Sequence, residues 1–322
     1  MRASSYLNRS SLASHAPTFA GYLLTLILLL TAAIFAPYLL SGGNLETQLT
    51  FATFIGLAAL GQTLVILGGG IDLSVPWVLA FGAIELGNFS GLPDVLAIVL
   101  IVALGGLIGL ANGFGVVELG VPPIIMTLAV GGVVQGFLLE FGRGNLYSDV
   151  PPLVHTVVTS SVGPLPVAAI IWGLLAVAIG AVLSRTVLGR SIYAVGTNYR
   201  TARLSGISVA STRTLTYVVS GAIAAFDGIL LAGFLGAAYP TIGADYLFES
   251  IAAVLLGGAA IEGGRGSYWG TIAGTLTLIL LTALTPVLGV TQGALKVVYG
   301  VVILAGLYLA RGGLLIASRG RG

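Results

Sequence analysis

Long apolar runs separated by short polar breaks dominate the chain. Ten runs fall at about 19–40, 47–69, 74–90, 94–118, 121–141, 165–184, 214–238, 247–262, 267–289 and 293–310. Spanning about 30 Å of hydrocarbon takes roughly 20 helical residues, so most of these runs read as membrane-crossing helices. The first, Phe19–Leu40, is longer than the signal-peptide core of about 7–15 residues and reads as a retained span. The runs at 74–90 and 247–262 are short, and each holds an acid, Glu85 and Glu249. They are expected to be broken or re-entrant. The predicted fold class is therefore all-α integral membrane, about ten transmembrane helices. A polar tail (1–18), one membrane domain (19–310) and a second tail (311–322) make up the chain.

Arginine sets the orientation. Residues 185–213 contain Arg185, Arg190, Arg200, Arg203 and Arg213 and no acid. Burying five arginines at about 2.5–3.5 kcal/mol each would cost about 12–18 kcal/mol. This segment is read as a cytoplasmic loop, and both tails, with Arg2 and Arg9 or Arg311, Arg319 and Arg321, read the same way. Six runs precede the loop and four follow it, so all three placements agree. The connections at 142–164 and 236–246 then fall outside. Within the arginine loop, "GTNYRTARLSGIS" predicts a short helix with Asn198 as N-cap and Gly206 as its stop. Arg200 and Arg203, three apart, share a face.

Two junctions are alike. "VILGGGIDLS" (Val65–Ser74) and "VLLGGAAIEGG" (Val254–Gly264) each end an apolar run with a glycine pair followed by an acid. Glycine-interrupted segments in the two halves of a transporter often mark the substrate site. In the first junction Asp72 or Ser74 is placed to cap the next helix, with Pro76 in its first turn.

Composition fits this picture. Of 322 residues, 57% are hydrophobic and only 7% charged, against about 25% charged in soluble domains. The mean hydropathy is +1.07, so lipid must be the main solvent. With no cysteine, disulfides and thiolate metal sites are excluded. His15 and His155 are isolated, solvated residues in polar segments, and no metal site is expected. The net charge of +2 carries no basic stripe, which argues against nucleic acid. The 48 glycines are read mainly as points of close helix packing.

The catalytic inventory is poor. Lys296 is the one lysine and no glycine precedes a Lys-Ser or Lys-Thr pair, so a P-loop is absent. Gly-x-Ser-x-Gly and His-Glu-x-x-His are absent too, and the chain is not expected to be an enzyme. Most acids fall near the ends of runs. Glu85 and Asp227 sit deeper, and Asp227 is expected to bond to a neighbouring helix. Neutral polar residues interrupt the apolar runs at Gln62, Asn112, Thr127, Gln135 and Gln292. Such groups suit a hydroxyl-rich solute, whereas an anion would need buried cations, and Lys296 is the only basic residue placed within a run. Gln62, Asp72, Ser74, Asn112, Thr127, Gln135 and Glu249 are the candidate substrate-pathway residues.

Four stretches in order, "GGIDLSV" (Gly69–Val75), "NGFGVVELGVPPIIMTLAV" (Asn112–Val130), "GRSIYAVGTNYRTARLSGIS" (Gly189–Ser208) and "SIAAVLLGGAAIEGGRGSYWGTIAG" (Ser250–Gly274), resemble the membrane permeases of bacterial ABC importers for ribose, xylose and related monosaccharides. The resemblance covers about residues 45–310. It implies an inner-membrane permease that pairs with a second permease copy or paralogue. It further implies a cytoplasmic ABC ATPase, which holds the ATP and Mg, and an external sugar-binding protein. Residues 189–208 resemble the family's ATPase-coupling segment, which assigns Gly196, Asn198, Arg200, Ala202, Arg203, Leu204, Ser205, Gly206 and Ile207 to coupling. The chain departs from the family pattern at Pro76, at Gln135-Gly136, at Leu247–Ser250 and at Thr282-Ala283. These departures leave room for a polyol, a cyclitol or a nucleoside. The alternatives are the same architecture carrying a nucleoside or branched-chain amino acid, and an ion-coupled carrier.

Overall fold

A computed structural model describes residues 3–141, 150–291 and 293–305. It is helical nearly throughout. The elements are α1 (Ala3–Phe35), α2 (Gly42–Leu67), α3 (Val75–Asn88), α4 (Asp94–Val117), α5 (Pro123–Phe141), α6 (Pro152–Thr159), α7 (Val167–Arg185), α8 (Val187–Thr197), α9 (Tyr199–Leu204), α10 (Val209–Leu235), α11 (Tyr246–Leu256), α12 (Tyr268–Leu284) and α13 (Gly293–Ala305). A 3-10 turn at Pro37–Leu40 follows α1, and a two-residue hairpin, Ser161–Val162 against Leu165–Pro166, precedes α7.

Among the described residues, six helices are long and apolar enough to cross a membrane: Thr18–Phe35 of α1, α2, the whole of α4, Pro123–Glu140 of α5, α7 and α10. The apolar helices α11, α12 and α13 are shorter. At about 1.5 Å per residue, the 11 residues of α11 cover about half of a 30 Å hydrocarbon layer. Large apolar side chains stand exposed along α4, α5 and α7, among them Val95, Val99, Leu107, Ile124, Leu128, Leu174 and Val177. An acyl-chain environment removes the cost that water would impose on such a belt.

The centre of the bundle is α10, which packs on α2, α3 and α4, while α1 lies against α12. The α4–α10 contact is very close. Gly105, Gly109 and Gly113 share one face of α4, and a Cβ on any of them would come within 2.1–2.8 Å of Tyr217, Gly221, Thr214 or Ala225 atoms. Without a hydrophobic drive between helices in lipid, such small-residue faces allow the dispersion contacts that hold spans together. Polar bonds add to this. The Trp172 indole donates to the Tyr268 hydroxyl (2.7 Å), which donates to the Gly56 carbonyl (2.9 Å), tying α7, α12 and α2.

Several sequence boundaries shift. The first run stops at Phe35 rather than Leu40, and α1 extends back through the polar tail to Ala3. The run at 247–262 ends at Leu256, where a glycine pair terminates the helix. The arginine segment 185–213 is not a loop with one small helix. It holds α8 as well, capped by the Thr186 hydroxyl, which accepts from the Gly189 amide at 3.2 Å. Lys296 is not deep in a run: it lies in the first turn of α13, 61% exposed, 2.7 Å from Asp245. The expected Asp227 bond is absent. Its carboxylate is fully buried, and among the described residues neither oxygen has a hydrogen-bond partner. His155 is exposed as expected, yet its ring bonds the Gly233 carbonyl at 2.8 Å. Gln292, Arg143, Asp149 and the C-terminal arginines lie outside the described residues.

Candidate functional site

The first break joins α2 to α3. Gly68 ends α2, and Gly69, with φ +79°, turns the chain. The amide of Gly69 bonds the Ile66 carbonyl and that of Gly70 bonds the Val65 carbonyl, both at 2.9 Å. This is the Schellman pattern, which needs a left-handed residue that glycine supplies without a Cβ penalty. The second break repeats it: Gly258 (φ +84°) bonds Leu255, and Ala259 bonds Val254. The likeness of the two junctions in sequence is thus a likeness of backbone geometry.

After the first break, side chains take over. Asp72 is 1% exposed. One of its oxygens accepts from the Ser74 amide (3.0 Å) and hydroxyl (2.6 Å), and the other accepts from the Ser220 hydroxyl of α10 (2.9 Å). The Asn112 amide of α4 donates to the Ser74 oxygen at 2.8 Å. The Leu73 amide donates to Thr127 of α5 at 3.0 Å. Four of the seven candidate pathway residues, Asp72, Ser74, Asn112 and Thr127, therefore converge on one buried polar cluster that ties α4, α5 and α10 to the break. Ser74 is the N-cap residue of α3, but its side chain makes no capping bond. The free amide there is satisfied by Asp72, two residues earlier. Gln62 is buried on α2, and among the described residues neither its amide nitrogen nor its oxygen has a partner. Gln135 lies half-buried on α5, two turns beyond Thr127.

The seventh candidate, Glu249, lies elsewhere. A cavity of about 360 Å³ opens at the end of the bundle opposite α8 and α9. Gln48 and Phe51 of α2, Tyr239 and Asp245 of the connection after α10, Tyr246 and Glu249 of α11, and Thr282 and Ala283 of α12 line it. The connection 236–245 helps to form its wall by folding back among the helices. Ala238 and Ile242 are buried, and a Cβ at Gly243 would lie 2.1 Å from the Pro76 carbonyl oxygen. Carboxylates, amide, hydroxyls and aromatic faces in one hollow can hydrogen-bond and stack on a neutral polyhydroxy solute, and the two acids oppose an anion. Gln48, Tyr239, Asp245, Tyr246 and Thr282 were not selected from sequence. The signal was present in "YPTIGADY" (Tyr239–Tyr246), an irregular polar and aromatic stretch between two apolar runs.

The predicted short helix is α9. The Asn198 side chain accepts from the Arg200 and Thr201 amides, both at 3.0 Å. At the other end Gly206 (φ +81°) bonds Arg203 and Ile207 bonds Ala202, another Schellman closure. Ala202 is buried, and Ser205, the C-cap, bonds back to Thr201. Leu204 is 90% exposed. Arg203 borders a hollow of about 470 Å³ with Glu118, Tyr199 and Arg213. Gly196 is the penultimate residue of the preceding helix, α8. Just behind it, the Tyr193 phenol donates to the Gly266 carbonyl at 2.9 Å, and burial raises its pKa.

A bundle of apolar helices with two glycine breaks, a hollow holding two acids at one end and a short capped helix at the other fits a membrane permease. Comparison with known proteins gives the family. The family described as "Branched-chain amino acid transport system / permease component" matches residues 44–307, and the chain belongs to it. The chain is 35% identical to the ribose import permease protein RbsC of Bacillus subtilis over 292 residues, 88% of this chain and 90% of that protein. It is 30% identical to the fructose import permease protein FruG of Bifidobacterium longum, over 92% and 90%. It is 33% identical to the autoinducer 2 import system permease protein LsrD of Yersinia pestis, over 80% and 81%. No solved structure matches the chain.

Proposed function

We propose that this chain is the transmembrane subunit of an ATP-driven, binding-protein-dependent importer for a neutral monosaccharide or similar polyhydroxy solute. It works by alternating access, powered by a separate ATPase that holds the ATP and Mg. On a ten-span reading, both termini and the α8–α9 end lie in the cytoplasm of a bacterial inner membrane. The opposite end receives solute from an external binding protein, and a second permease copy or paralogue completes the pathway.

One observation carries the coupling half of this reading. A six-residue helix, closed at both ends, holds Leu204 90% exposed beside Arg200 and Arg203. Such a projecting apolar residue ringed by cations suits insertion into a cleft on a partner. For the cargo, the relatives named for ribose, fructose and autoinducer 2 agree with a cavity around Glu249 whose acids, amide and hydroxyls suit a neutral polyhydroxy solute. Two positions where the sequence departs from the sugar-permease pattern, Glu249 and Thr282-Ala283, line that cavity, which makes it the place where solute choice is set.

Uptake by proteoliposomes containing permease, ATPase and binding protein tests the proposal. Uptake should need ATP and persist when the proton gradient is collapsed. The Arg203→Glu, Leu204→Glu double variant should insert normally yet lose ATPase binding and at least about tenfold of uptake, a change of about 1.4 kcal/mol in coupling. Retention of both ATPase binding and uptake by that variant refutes the assignment of α9. Uptake that follows the proton gradient without ATP instead supports a secondary carrier.

A further inference from the structure

The tail of α8 meets both helix breaks at backbone contact. A Cβ on Gly196 would lie 1.8 Å from the Leu67 carbonyl oxygen at the first break and 2.5 Å from the Gly264 nitrogen at the second. A Cβ on Gly263 would lie 2.8 Å from the Gly69 Cα and 3.1 Å from the Gly196 Cα. The breaks also bond each other directly: the Gly264 amide donates to the Leu67 carbonyl at 2.9 Å. Two side-chain bonds frame the contact. Tyr193 of α8 donates to the Gly266 carbonyl at 2.9 Å, and Arg213, at the start of α10, donates to the Gly69 carbonyl at 3.3 Å. No side chain separates the three backbones, so there is no soft layer to absorb a displacement. Packed backbone of this kind shifts as a unit rather than deforming gradually.

We infer that Gly196, Gly69, Gly263 and Gly264 form a mechanical junction that transfers movement of α8 and α9 to both broken helices at once. Gly196 is then a positioning residue within the coupling segment: through its backbone contact with Leu67 and Gly264 it fixes where the two breaks sit relative to α9. The junction itself stands on the geometry. Its role in transport rests on the assignment of α9 to ATPase coupling.

Hydrogen exchange on the purified permease alone tests the junction without any partner. Gly196→Ala should raise exchange by about threefold or more in the segments around residues 64–70 and 258–266 as well as around 193–197, since local opening sets these rates. Gly132→Ala, at a position with open space around it, serves as the control and should change none of them. Tyr193→Phe adds no bulk and should give a smaller rise confined to 193–197 and 258–266, so the expectation stands even if Gly196→Ala folds poorly. If exchange in both variants changes only around 193–197, the junction does not couple the segments and the inference fails. In the assembled importer, Gly196→Ala should lose uptake by about tenfold, within the range of coupling energies carried by positions that act through packing. Normal uptake by that variant overturns the transport role. Loss of ATPase binding by wild-type protein would count only against α9.

Discussion

The two helix breaks begin with the same backbone device and finish with different chemistry. Both close a helix by a Schellman turn, at Gly69 and at Gly258. The first then fills its gap with side-chain bonds, centred on a buried aspartate held by Ser74 and Ser220. The second closes with main chain: the Ala260 amide bonds the Arg265 carbonyl, the Gly263 amide bonds Ala260, and Gly264 reaches across to Leu67. Its acid, Glu262, is exposed. A glycine pair followed by an acid thus specifies the turn in both places, but not what the acid does. Burial decides that, and burial is set by the neighbours: α4, α5 and α10 crowd the first break and leave Glu262 outside.

The largest expected effect comes from the difference. Asp72→Ala removes the acceptor of three bonds and strands the Ser74 amide and Ser220 hydroxyl in a dry site. It should destabilise the protein by about 3–5 kcal/mol, since each buried donor left without an acceptor costs about 1–3 kcal/mol. Thermal unfolding in detergent should show this, whereas Glu262→Ala should leave the transition unmoved. Equal losses would erase the contrast. The shared backbone comes next. Gly69→Ala and Gly258→Ala each force a Cβ into the left-handed region, at about 1–2 kcal/mol apiece. Similar shifts in the unfolding midpoint would confirm one device used twice, and a neutral Gly258→Ala would break the parallel. The smallest effect tests the tie to α10. Ser220→Ala deletes one of the three bonds and should cost about 1–1.5 kcal/mol with no change in exchange around 258–266.

Much of this was legible in the sequence because membrane burial writes itself in long apolar runs. The six long spans, the glycine breaks and the Asn198–Gly206 helix all follow from local rules of length, capping and left-handed turns. The α8 helix was obscured by its arginines, which mark a segment kept out of lipid but say nothing against helicity. Asn112 and Thr127 stood out as interruptions in apolar runs, Asp72 and Ser74 as the polar residues of a junction between two runs, and they do share a location. Nothing local could show that they bind one another, because the contacts join residues up to 148 positions apart. The cavity around Glu249 was hidden for the same reason. Its wall comes from four separate stretches, and the segment 236–245 looked like a connection because its backbone returns to the bundle only through tertiary contacts.

The burial of α2 has a consequence for biogenesis. Of its most apolar stretch, 89% is enclosed by protein, and three of the helices that enclose it, α10, α11 and α12, begin more than 140 residues after its end. Until they arrive, α2 must wait in lipid with its future interior exposed. Its threonines are prepared for that interval: the hydroxyls of Thr50, Thr53 and Thr63 each donate to the carbonyl four residues earlier, so they carry their partners within the helix. Gln62 has no such partner. The delay between insertion of this helix and completion of its neighbours therefore falls on one side chain, and a nascent chain halted before α10 would be the form most exposed to membrane quality control.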